Sequence, residues 1–266
     1  MTDQAKRPVA VITGAAGDIG AAIAAKLSAT HALALVDINL EALEAVANVL
    51  SEQGADAHAY KCDLTNPDDL TTLSDLVQSL GSVAILVNNA GAAATLSLQA
   101  MKTEELARDL ALNLEAALNC FKTFAPALIE NGNASLVNIV SVNGLGTFGH
   151  PSYSAAKAGL IHATRAIAVE YGKFGLRANS VAPGTVKTQA WKARQQQNPG
   201  VFDEALAWYP YKQLPEPEDI AEAVGFLTSP AARCITGVCL PVDSGLSAGS
   251  PALPRTFTQS TDFDGL

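Results

Sequence analysis

The chain has 266 residues, 48% hydrophobic and 16% charged, with 20 glycines and few aromatics. That is enough apolar material for one sizeable core, with glycine to spare for tight turns between many short elements. The net charge of -9 comes without a basic stripe and argues against a nucleic-acid partner; no run of eighteen apolar residues, the length a membrane span needs, occurs in the sequence.

In chain order, strand-like and helix-like segments alternate. "PVAVITG" (8–14) is a short apolar run ending at glycine, and 20–29 follows with Ile23 and Leu27 at helical spacing. "HALALVDI" (31–38) reads as a second buried strand. Residues 39–54 place Leu40, Leu43, Val46, Ala47 and Leu50 on one helical face and stop at Gly54. "DAHAYKCDLT" (56–65) is strand-like. Residues 66–81 open with Asn-Pro and close at Gly81, the start and stop of a helix. "VAILVNNAG" (83–91) is a strand. Two longer helical stretches enclose the strand "ASLVNIVS" (134–141), the second running from about 153 to 173. "LRANSVAPG" (176–184) is a strand, "PEDIAEAVGFLTS" (217–229) a helix and "CLPVDSG" (239–245) a strand. Only 189–215 and 249–266 lack a regular pattern. This alternation predicts a parallel sheet covered by helices on both faces. Right-handed crossovers then make it a doubly wound, Rossmann-type α/β domain, here a single domain over 1–266.

Cys62, Cys120, Cys234 and Cys239 are scattered, with no CxxC pair and no His/Cys spacing for zinc. Buried free thiols in a reducing compartment, and no metal, are expected. The apolar stretch near the N-terminus is too short for a signal sequence, so a soluble cytoplasmic protein is expected.

"TGAAGDIG" (13–20) joins the first strand to its helix. A glycine-rich turn there lets backbone N–H groups approach a pyrophosphate, and the helix N-terminus adds positive potential. Gly14, Asp18, Ile19 and Gly20 are the candidate contacts. Asp37 ends the second strand about 20 residues on, where a carboxylate bonds ribose hydroxyls; the other reading is a residue of the next helix's N-terminal turn. A carboxylate there repels a 2′-phosphate, and positions 15, 16 and 38 hold no cation, so NAD is favoured over NADP.

"SYSAAKAG" (152–159) puts Tyr153 and Lys157 one helical turn apart, separated by small residues that leave room for a ligand. A free tyrosine, with a pKa of about 10, is a poor proton carrier at neutrality. An adjacent ammonium stabilises the phenolate and makes the pair fit for moving a proton at a carbinol oxygen. Ser141, at the preceding strand end, is placed to hydrogen-bond that oxygen.

Together "TGAAGDIG", "CDLT" (62–65), "NNAG" (88–91), Asn113, Ser141, "YSAAK" (153–157), "RANSVAPG" (177–184) and "LPVDSG" (240–245) make the chain resemble the short-chain dehydrogenase/reductase family over nearly all of 8–246. The resemblance implies a catalytic set of Asn113, Ser141, Tyr153 and Lys157. Lys157 would also hold the nicotinamide ribose, and Asn113 would either position a proton-relaying water or stabilise a helix bend. Asp63 and Leu64 would border the adenine. Asn88, Asn89, Ala90 and Gly91 would line the ribose and diphosphate path, or simply form a strand-end turn. Pro183, Gly184, Val186 and Thr188 would contact the nicotinamide end, together with Tyr153 and Lys157. Ser141, Asn143, His150, Tyr153 and Trp191 would face the substrate, His150 either reading a hydroxyl or staying solvated. Residues 187–215 would form a lid; its aromatics suit a neutral ring, a polyol or a carbonyl compound. The tail 249–266, with Leu253, Phe257 and Phe263, would cover the pocket or a neighbouring subunit, or stay solvated. A homotetramer is the family's usual assembly.

Three departures stand out. The family's turn reads TGxxxGxG, but position 18 is Asp and the glycine stands at 17; Asp18 would cap the helix or repel phosphate. Ser244 replaces a frequent glycine, and the short spacing from Ser141 to Tyr153 trims the pocket loop. The resemblance implies an NAD(H)-dependent oxidoreductase interconverting a secondary alcohol and a ketone on a small neutral substrate. The alternatives are an NADP-dependent 3-oxoacyl thioester reductase and a non-catalytic NAD sensor, which would not need Ser141, Tyr153 and Lys157.

Overall fold

A computed structural model describes residues 7–94, 96–250 and 252–263. Residues 1–6 and 264–266 of the expected domain, and the side chain of Phe263 in the expected tail contact, lie outside the described residues. The first half runs β1 (Val9–Thr13), α1 (Asp18–Leu27), β2 (Ala32–Asp37), α2 (Leu40–Glu52), β3 (Ala57–Lys61), α3 (Pro67–Gln78) and β4 (Val83–Asn88). Then come α4 (Thr103–Leu110), α5 (Ala116–Asn131), β5 (Ser135–Ile139), α6 (Pro151–Tyr171) and β6 (Arg177–Pro183). The chain continues through α7 (Gln189–Gln197), α8 (Val201–Leu206), α9 (Pro217–Thr228), β7 (Cys239–Val242) and α10 (Ala252–Thr258).

The strands form one seven-stranded sheet in the order β3-β2-β1-β4-β5-β6-β7, every pairing parallel. Side chains alternate along each strand, so each apolar run feeds two cores. Val9, Val11, Ala34 and Val36 face a core with Leu73, Phe124 and Leu128 of α3 and α5. Ala10, Ile12, Leu33 and Leu35 face the other, with Ile23, Leu43 and Val224 of α1, α2 and α9. This is the doubly wound fold the alternation predicts.

The differences are local. α1 starts at Asp18 rather than 20, with Gly17 extended at the cap. α6 starts at Pro151, since proline at a first helical position has its φ preset and needs no N–H bond. The stretch 189–215 is helical in α7 and α8. No residue of α7 is buried, so it carries no apolar stripe for a sequence reading to detect. Between α4 and α5 the backbone widens into π-helix over Ala111–Glu115. All four thiols are free, but Cys234, in the surface connection before β7, is exposed, unlike buried Cys62 and Cys120. No helix among the described residues is long and apolar enough to cross a membrane.

Candidate active site

After β3 the chain returns to place β4 beside β1, and the connections leaving these neighbours run to opposite sides. In open α/β sheets a groove forms at the carboxyl ends of such a pair. Here it has a volume of about 770 Å³. Its walls are Gly14, Asp18, Ile19 and Gly20 of the first turn, Asp37 at the end of β2, Asp63 and Leu64 after β3, and Asn89, Ala90, Gly91 and Thr188. Arg108, Ala111 and Leu112 also line it; nothing in their types or spacing marks them in the sequence.

Two glycines shape the turn. Gly14 has φ +65°, and a Cβ on it would lie 2.8 Å from Ala90 Cα. A Cβ on Gly20 would lie 2.7 Å from Ala15 Cα. At Gly17 a Cβ would meet only Gly14 O, at 3.6 Å, so the displaced glycine is not a steric requirement. Asn89 staples the turn to β4: its Nδ2 donates to Thr13 O and Gly14 O, while Thr13 Oγ1 accepts the N–H groups of Asn89 and Ala90. Asn88 is a correction. Strand alternation turns it into the core, where it donates to Ala117 O and Asn138 Oδ1, and it does not line the groove.

The Asp37 carboxylate accepts from Ala16 N at 3.1 Å and Asn39 N at 3.0 Å. It is thus both a groove wall and part of the α2 entry, with Asn39 as the actual cap. Asp63 accepts from the hydroxyl and N–H of Thr65, which hold its carboxyl below the usual range.

Tyr153 and Lys157 share a face of α6, with Lys157 Nζ 5.5 Å from the Tyr153 ring centroid. Lys157 is only 3% exposed and donates to Ile139 O at 2.9 Å. Burial pushes its ammonium down from 10.5 to about 8. Tyr153 corrects the expected balance. Burial pushes its phenol up; a hydrogen bond with Ser141 pulls it down, and the Asp109 carboxylate pushes it up again. In the chain alone, burial outweighs the Ser141 bond and the phenol stands above its ordinary value, while the Lys157 ammonium lies over the ring and donates to Ile139 O.

Ser141 Oγ donates to Asn143 Oδ1 and accepts from Asn143 N, both at 3.2 Å. Asn143 Nδ2 donates to Gly149 O and Ser154 Oγ, so Asn143 fastens the pocket loop to Ser141 and α6. Asn113 is fully buried in the π-helical turn. Its Nδ2 donates to Ala92 O and Asp109 O, and its Oδ1 accepts from Ala92 N. The bend and a fixed amide are the same feature: the side chain satisfies a carbonyl of the widened turn. A Cβ on Gly91 would lie 2.7 Å from Asn113 Oδ1 and 3.2 Å from Lys157 Nζ, so these groups converge behind the groove wall. Asp109 escaped the sequence reading. It is 2% exposed, accepts from Ala94 N at 2.9 Å and from Ser152 Oγ, and ties the loop after β4 to the turn carrying Tyr153. Its spacing of four before Asn113 was the available signal.

His150 is the N-cap residue of α6 in left-handed conformation, φ +51°, its N–H donating to Leu96 O. Trp191 packs within the α7–α8 segment, 6.2 Å from the Phe202 ring and 4.7 Å from the Arg194 guanidinium. It lines neither the groove nor a second cavity of about 430 Å³, where Trp208 stands instead, with Leu145, Phe148 and Leu246. Among the described residues, no ionisable side chain lines that cavity. Val186 is buried just before α7, Thr188 N donates to Val186 O, and Pro183 is buried at the end of β6. The buried Tyr209 hydroxyl accepts from Thr185 N at 2.6 Å, and a Cβ on Gly184 would lie 2.8 Å from it. No cluster of three or more His, Cys, Asp or Glu able to hold a metal occurs among the described residues.

A family model described as enoyl-(acyl carrier protein) reductase matches residues 14–247. A solved oxidoreductase of the short-chain dehydrogenase/reductase family from Burkholderia thailandensis is 40% identical, with a TM-score of 0.89 over 96% of this chain and 98% of its own. A 2-(S)-hydroxypropyl-CoM dehydrogenase from Xanthobacter autotrophicus is 35% identical over 254 residues, covering 93% of this chain and 100% of that protein. A 7α-hydroxysteroid dehydrogenase solved with NADH and 7-oxo glycochenodeoxycholic acid is 33% identical, TM-score 0.84, over 90% and 93% of the two chains. Fold and relatives together define an oxidoreductase. The chain belongs to the short-chain dehydrogenase/reductase family.

Proposed function

We propose that this chain is an NAD(H)-dependent enzyme interconverting a secondary alcohol and a ketone on a small neutral substrate, cyclic, aromatic or polyol-like. The observation that carries the reading is the convergence of Lys157 and Asn113 on Gly91 at the groove wall, with Tyr153 beneath the same ammonium and Ser141 bonded to Tyr153. We take the chain as one domain, with α7 and α8 as its lid.

The groove fits a dinucleotide. Gly14 and Gly20 keep the turn's backbone bare, and no side-chain bond caps the N-terminus of α1, which leaves its first N–H groups to an anion, with Asp18 offsetting part of the positive potential there. Asp37 keeps acceptor capacity beyond its two backbone bonds for ribose hydroxyls. Arg108, on α4, is the sole cation among the described lining residues. A 2′-phosphate beside Asp37 would meet a carboxylate, which supports NAD over NADP. When bound, nicotinamide supplies the carbon that accepts or donates hydride. Tyr153 takes the alcohol proton or returns it to the ketone oxygen. Ser141 holds that oxygen, and Lys157 steadies the phenolate and passes protons on toward Asn113. The uncharged second cavity, whose wall 145–148 lies between Ser141 and Tyr153 in the chain, supports a neutral substrate.

The test is turnover on a panel of cyclic and open-chain secondary alcohols and ketones with NAD(H) and NADP(H). Turnover with NAD(H) is expected; dinucleotide binding without turnover on any member would contradict the enzyme reading. Asp37→Ala is expected to shift the kcat/KM ratio of NADP to NAD at least about tenfold toward NADP, the size of one lost charged hydrogen bond. An unchanged ratio would refute the ribose assignment. Asp109→Asn removes the carboxylate that raises the Tyr153 phenol. The pH–rate midpoint for alcohol oxidation is expected to move down; a midpoint that stays put would exclude an electrostatic role for Asp109.

A further inference from the structure

Asp18 is the residue that breaks the family's glycine pattern, and its carboxylate reaches across the groove. Asp18 Oδ2 accepts a hydrogen bond from Gln189 N at 2.6 Å, across 171 residues of chain. Gln189 opens α7, the first helix of the lid. Thr188, the N-cap residue of α7, makes no side-chain capping bond, so Asp18 caps α7 from another element. The carboxylate also sits in the first turn of α1, between two helix N-termini whose positive ends it offsets.

Among the described residues, few other ties hold α7 to the body. None of its residues is buried, and the ring contact of Trp191 is to Phe202 within the lid itself. The segment just before α7 is held by Lys187, through its N–H to Pro215 O and its ammonium to Glu216. Asp18, Thr188 and Ala190 all line the groove, so the bond spans it at the point where the first turn meets the lid.

We propose that Asp18 is a positioning residue, a latch that holds the lid helix α7 across the dinucleotide groove and slows release of the bound dinucleotide. This rests on the reading of the groove as a dinucleotide site. The substitution of glycine by aspartate then has a reason: the side chain exchanges some phosphate affinity for control of the lid.

The latch predicts how two complementary changes behave. Asp18→Ala removes the acceptor. Gln189→Pro removes the donor and keeps the Asp18 charge; proline suits the first position of a helix, and Thr188 before it is already extended (φ −99°, ψ 169°). Asp18→Asn keeps an acceptor and drops the charge. NADH release is measured by stopped-flow displacement, and hydrogen exchange over 189–197 in the free protein, with thermal melts to confirm folding. Asp18→Ala and Gln189→Pro are each expected to speed exchange in α7 and to speed NADH release about fivefold, the effect of one lost cap. Combined, they are expected to do no more than either alone, and Asp18→Asn is expected to stay within about twofold of the parent. The latch is overturned if Gln189→Pro leaves release unchanged, or if Asp18→Asn is as fast as Asp18→Ala. Failure of the parent protein to bind NADH would overturn the dinucleotide reading instead, and the exchange measurement on the free protein would still decide whether the bond holds α7.

Discussion

Replacing Tyr153 by Phe is expected to lower turnover at least about a hundredfold, the usual contribution of a positioned proton carrier, with folding and NADH affinity retained. The change deletes one oxygen from a half-buried ring. It leaves the 5.5 Å approach of Lys157 to the ring face and the bond from Lys157 to Ile139 O in place. What disappears is the group that exchanges a proton with the substrate oxygen, together with the partner of Ser141. Turnover on the best alcohol of the panel, beside a fluorescence titration with NADH, separates the two effects. Activity within a few fold of the parent would remove Tyr153 from the chemistry.

The second large effect is expected at Lys157, and it has opposite signs for activity and stability. Burial lowers the ammonium from 10.5 to about 8. A lysine whose folded pKa is lowered binds its proton more tightly unfolded. Below pH 8 both states are charged and the fold carries the full burial cost, about 3 kcal/mol at 1.36 kcal/mol per pH unit. As pH rises from 8 toward 10.5 the folded side chain becomes neutral first and the cost is relieved. Lys157→Met fills similar space without charge but leaves Ile139 O without its donor, a loss of about 1 kcal/mol. The variant is therefore expected to be about 2 kcal/mol more stable than the parent at pH 7, with the gap closing toward pH 10, and to lose turnover. Denaturant midpoints for both proteins at pH 7 and 9.5 check this. A variant less stable than the parent at pH 7 would mean that the cation is there to hold the fold together.

The parts of this molecule that follow from residue type were readable in advance. Strand runs such as 31–38, the Asn66-Pro67 helix start and the glycines at 14 and 20 each have a local cause, so the sheet, the two helix layers and the groove could be placed from sequence. The i, i+4 spacing of Tyr153 and Lys157 likewise fixed their shared face. What stayed hidden depends on groups distant in the chain. Asn88 and Asn89 are neighbours of one type, and only the strand's alternation decides which enters the core and which staples the turn. Asp109 became meaningful once α4, α6 and the loop after β4 met around it. α7 has no apolar stripe, and its cap comes from Asp18 at the far end of the sequence. The direction of the Tyr153 shift needed burial as well as neighbours, and burial is a property of the whole fold.

The most direct test of the account is the pH dependence of alcohol oxidation in the parent and in Tyr153→Phe. The account predicts that log kcat/KM in the parent rises with pH to a plateau as one group loses its proton, and that this rise is absent from the residual activity of Tyr153→Phe. The same rise, with the same midpoint, in both proteins would assign proton transfer to some other group and contradict it.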